Sequence, residues 1–184
     1  MIFNVCEKTT HYDDRCVASC VAITTIISLL LREYKDVEQI KWQAFKIAEM
    51  FTEHKQLMKD HLFVNTFAEL NLEDEITRGF DFCLTWVKKH RFTFKTTATA
   101  FCALSMLKTK SFEQIIEELV REAGDADTYS FMFVLCSNFN DRNAAVCGAV
   151  LGCCIGYSNL PKHWLNGLIH KDWLMKKVEL FIKS

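Results

Sequence analysis

Asn143-Ala144-Ala145-Val146-Cys147-Gly148-Ala149-Val150-Leu151-Gly152-Cys153-Cys154-Ile155-Gly156 is the stretch on which the fold turns. It holds no proline and no charge. Ala144, Gly148, Gly152 and Gly156 recur at every fourth position, with Ala145, Ala149 and Cys153 beside them. Four is the repeat of one face of an α-helix. Small side chains on such a face let a second helix approach closely, as in the small-xxx-small pattern of membrane helices. These 14 residues are too few to span a bilayer, so the reading is a tightly crossed core helix.

Outward from that helix the rest of the chain reads the same way. Leu160-Pro161 starts another helix, with proline in a permitted first-turn position, and Lys171 to Ile182 forms the last. Upstream, Ser111 caps an amphipathic helix running to Arg121, and Thr93 to Leu107 is apolar and rich in small residues. Glu73-Asp74-Glu75 and Lys88-Lys89-His90-Arg91 bracket a further helix with charges of the sign the macrodipole favours. Phe63 to Leu72 is less regular. Val37, Ile40, Ala44, Ile47 and Phe51 place one helix over Val37 to about Lys59. Asp13 or Asp14 caps a helix reaching about Glu33, and the residues before it read as irregular. There is no credible strand pair, repeat or low-complexity tract. The expected class is all-α, with about eight helices.

Composition agrees. One proline and six glycines in 184 residues leave few turn signals. Half the residues are apolar and 24% are charged, which excludes a disordered chain. Twenty-two basic against 23 acidic residues give a net charge of −1, which argues against a nucleic-acid or membrane-surface binder driven by bulk electrostatics. Cys16 to Leu31 runs uncharged for 16 residues, too short to span, and reads as a buried core helix. Nine cysteines, an odd number, come with no cleavable signal and no Asn-x-Ser/Thr sequon. They read as reduced, mostly buried thiols of a cytoplasmic or nuclear protein. Cys16/Cys20 and Cys153-Cys154 do not have the spacing of a structural zinc site.

The residues suited to chemistry are Gly124-Asp125-Ala126-Asp127-Thr128. Two carboxylates and a hydroxyl are hard oxygen ligands that suit Mg²⁺ or Mn²⁺. On a regular helix, positions i and i+2 point about 200° apart, so both carboxylates meet one ion only in a loop or at a helix start. Taken alone, Asp-x-Asp is a weak signal, better read as a solvated capping loop.

A resemblance adds to this. Gly124-Asp-Ala-Asp-Thr128, then Asn143 to Gly152, then Leu160-Pro161-x-x-Trp164-Leu165-x-x-Leu168 resemble the ADP-ribosylglycohydrolase family. Thr10-His11-Tyr12-Asp13-Asp14-Arg15-Cys16-Val17-Ala18-Ser19 resembles a stretch from the middle of that family's chains. Phe92-Thr93-Phe94-Lys95, through Phe101-x-Ala103-Leu104, resembles a third. The resemblance implies an all-α bundle of orthogonally crossing helices. It implies a hydrolase that cleaves the glycosidic bond between ADP-ribose and a protein side chain or small acceptor. Two divalent cations, usually Mg²⁺, hold the distal ribose hydroxyls and position a water. Mapped by motif, Asp125, Asp127 and Thr128 are the C-terminal metal ligands, with Asp125 and Asp127 the catalytic carboxylates. His11 matches a family histidine near the substrate pocket.

The chain also departs from the family. The Gly-Asp-rich motif and the Thr/Ser-Asp-Asp cluster of the family's N-terminal segment are not found, and Asp13-Asp14 is the one Asp-Asp pair. The chain is therefore expected to begin mid-fold, as a single partial domain over residues 1–184. Three ligands cannot fix two cations that each want about six oxygens, so this chain alone is expected to be inactive. A separately encoded N-terminal half would complete it. The alternative is a truncated, non-catalytic relative acting as an interaction protein. Residues 129–142 interrupt the family pattern between Thr128 and Asn143 and read as an insertion, in the manner of an in-frame retained intron. Arg91, Ala98 and Ala100 stand where the family often has glycine and are expected to narrow a pocket. His163, His170 and Lys171 read as solvated.

Overall fold

A computed structural model describes residues 13–70, 92–122 and 133–183, with 133–142 given by the backbone. These residues form eight α-helices and no strand. They are α1 (Asp14–Leu31), α2 (Val37–Ala48), α3 (Lys55–Leu62), α4 (Phe92–Met106), α5 (Phe112–Glu122), α6 (Phe133–Ile155), α7 (Lys162–Gly167) and α8 (Lys171–Lys183). The class is all-α, as expected.

The arrangement is built around α4, which packs against α1, α2, α3, α5 and α6. Its sequence explains why. Phe94, Ala98, Ala100, Phe101, Cys102, Ala103 and Leu104 are all fully buried, so apolar side chains leave this helix in every direction. α1 lies against it with Val17, Ala18, Val21, Ala22, Ile26 and Leu30 buried. By length and composition alone α1 is long and apolar enough to cross a membrane, a test that a core helix also passes, and this apolar face closes the core. Aromatic rings join α2 and the end of α3 to α4. Phe63 meets Phe45 edge-on at 5.5 Å and Phe101 at 6.1 Å between centroids.

Local signals set the helix ends. Asp13 caps α1, accepting from the Arg15 amide, and Asp36 caps α2, accepting from the Glu38 and Gln39 amides. Ser111 and Gln114 exchange reciprocal bonds at the start of α5 as a capping box. α1 ends in a Schellman motif. The Tyr34 amide donates to Leu29 O and the Glu33 amide to Leu30 O. Glu33 occupies the left-handed position there, with φ of 63°.

Three expectations need correction. The helix expected over Val37 to Lys59 is two helices, broken after the 3₁₀ turn Glu49–Phe51. Thr52 turns extended, its hydroxyl donates to Asp14 Oδ2 at 2.7 Å, and the Glu53 amide donates to the same oxygen at 2.9 Å. A carboxylate on α1, distant in sequence, thus outcompetes the next helical turn. The buried stripe of α2 also falls on Ile40, Lys41, Ala44, Phe45 and Ala48, leaving Ile47 and Phe51 exposed. Second, the helix expected from Asn143 begins at Phe133, so residues 133–142 continue it, there being no glycine or proline in that run to stop it. Its small-residue face is not a close crossing. The core side is Asn143, Cys147, Val150 and Leu151, and a Cβ built on Gly148, Gly152 or Gly156 would meet nothing within 4 Å. Third, of the described thiols only Cys102 and Cys147 are buried. Cys16 and Cys153 are half-buried, and Cys20 and Cys154 exposed.

Two buried polar features bind α4 to its neighbours. Lys41 of α2 is 4% exposed. Its ammonium donates to Ser105 Oγ at 2.7 Å and lies 3.6 Å from Glu38 Oε2. Glu38, held below its usual range mainly by its bond from Lys108, ties the same helices together. Burial lowers the Lys41 pKa despite Glu38. Between α4 and α6, Cys147 lies near Thr99, whose hydroxyl donates to Thr96 O at 2.7 Å, and burial pushes the Cys147 thiol up to about 12. Cys102 is pushed up to about 11 for the same reason.

Glu33→Gly removes the left-handed strain and is expected to stabilise the chain by up to about 1 kcal/mol, read as a raised Tm, whereas Glu33→Ala is expected to give no such gain. Lys41→Met removes a charge that the fold holds away from water, while the half-buried Ser105 keeps access to solvent. Its melting temperature at neutral pH is expected to equal or exceed that of the parent chain. The buried thiols have the opposite pH sign to a paired carboxylate. Their folded pKa lies above the unfolded value of 9.0, so stability is lost as pH rises above that value. Melting curves taken from neutral pH upward are expected to fall more gently for Cys147→Ala than for the parent.

Candidate functional site

His11, Asp125, Asp127 and Thr128 lie outside the described residues, as does Arg91. The elements that flank them are described. The segment 123–132 runs from the end of α5 to the start of α6, two helices that pack on each other and on α4. Thr128 precedes Phe133 by five residues. The Asp-x-Asp stretch is therefore joined to the helix that carries Asn143 without an intervening loop at 133–142. His11 precedes the α1 cap, Asp13, by two residues, and α1 packs on α6. The two motif stretches thus lead into neighbouring helices.

The start of α1 is locked by its own charges. Arg15 donates to Asp13 through the backbone amide at 2.9 Å, through Nε at 2.9 Å and through Nη2 at 2.8 Å. The hydrogen bonds it donates to Asp13 raise the Arg15 pKa further. Asp14 accepts from Thr52 and Glu53, as above. Asp13 and Asp14 are the one Asp-Asp pair in the chain, and both carboxylates are committed to fold contacts. They are poorly placed to serve as the second set of hard ligands that a dinuclear site requires. The sequence reading did not foresee the Asp14–Thr52 contact. Its partners stand 38 residues apart, and no short motif marks them.

Among the described residues, no group of three or more His, Cys, Asp or Glu side chains comes together to hold a metal. Ala98 and Ala100 place their methyl groups in the closed core, both fully buried. They fill helix contacts there. His163 stays largely exposed, as expected, but its Nε2 lies 3.0 Å from Glu113 Oε1. A shallow hollow lined by Leu168, His170 and Trp173 sits at the C-terminal corner, remote in sequence from both motif stretches.

No characterised protein and no solved structure shows significant similarity to the chain. The ADP-ribosylglycohydrolase family matches it in two segments, residues 3–133 and 132–184, which together take in Thr10 to Ser19, Phe92 to Leu104, Gly124 to Thr128 and Asn143 to Leu168. With the all-helical architecture and the Asp-x-Asp stretch between α5 and α6, that match over almost its whole length makes the chain a member of the ADP-ribosylglycohydrolase family.

Proposed function

We propose that the chain contributes to Mg²⁺-dependent hydrolysis of the glycosidic bond between ADP-ribose and a protein side chain or small acceptor, in the cytoplasm. The observation that carries this reading is the family match across Gly124-Asp125-Ala126-Asp127-Thr128. In this reading Asp125, Asp127 and Thr128 hold the metal, with Mn²⁺ as a substitute. The bound cations supply orientation of the ribose diol and of a water, and stabilise charge at the reacting carbon. Asp125 and Asp127 contribute two negative charges on a segment anchored at both ends by helices that pack together. His11 contributes a contact to substrate from the segment leading into α1.

The second reading is an interaction protein without turnover. It is favoured by the commitment of Asp13 and Asp14 to Arg15, Thr52 and Glu53. The separating experiment incubates the purified chain with an ADP-ribosylated protein and Mg²⁺. A parallel reaction adds a polypeptide that carries the N-terminal Gly-Asp and Thr-Asp-Asp motifs of another family member. Release of ADP-ribose is expected to be far faster in the supplemented reaction and to stop with EDTA. Asp127→Ala is expected to slow it on the order of 100-fold, as loss of a metal ligand does. No release in either reaction would remove the hydrolytic reading for this chain and leave the interaction protein.

A further inference from the structure

We draw no further inference here: the strongest candidate, the exposed apolar row of Leu174, Val178 and Ile182 along the C-terminal helix α8, carries none because nothing in the structure shows what covers it.

Discussion

The burial of α4 on all sides is the constraint on which the rest of this structure depends. A helix that buries most of its side chains, on several sides, exists only while others enclose it. Five of the other seven helices meet that demand. The helix alternates large and small residues, so its neighbours close in where Ala98, Ala100 and Ala103 allow and interlock where Phe94, Phe101 and Leu104 project. Such a centre is unforgiving. Truncating one buried phenylalanine costs about 3–5 kcal/mol, against a total stability of about 5–15 kcal/mol for a typical domain.

The polar groups buried against α4 follow from that geometry. Lys41 occupies a position where the stripe of α2 would otherwise be apolar, and its stem packs while its ammonium reaches Ser105. Thr99 and Cys147 meet across the α4–α6 contact, where Cys147 behaves as a small apolar residue with a weak donor. Each feature joins α4 to a different helix. They make the packing around α4 specific as well as apolar.

Much of this was legible in the sequence, and what was not shares one cause. The all-α class, the caps at Asp13 and Ser111, the start after Pro161 and the core role of Cys16 to Leu31 rest on local chemistry or on one helix's own period. The break at Thr52 depends on Asp14, which no local pattern announces. The rotated face of α2 depends on Lys41 finding Ser105 on another helix, so a lysine took a core position that the periodicity assigned outward. The early start of α6 was hidden differently. The motif match began at Asn143, and the breaker-free run before it was assigned to an insertion rather than to the same helix. For the site the balance is reversed. Asp125, Asp127, Thr128 and His11 were legible as motif residues, and the folded elements locate the helices on either side of them.

The glycine stripe of α6 carries the same lesson one step further. Small residues at four-residue spacing say that a close neighbour is permitted there, and they do not by themselves supply one. The open space beside Gly148, Gly152 and Gly156 lies on the helix opposite the contact that matters, which runs through Asn143, Cys147, Val150 and Leu151. That contact was harder to read, because an amide, a thiol and two aliphatics do not form an obvious pattern. Yet it places α6 on α4. The packing of α6 on α4 accordingly depends on a mixed polar and apolar seam, and the conspicuous glycine repeat contributes little to it.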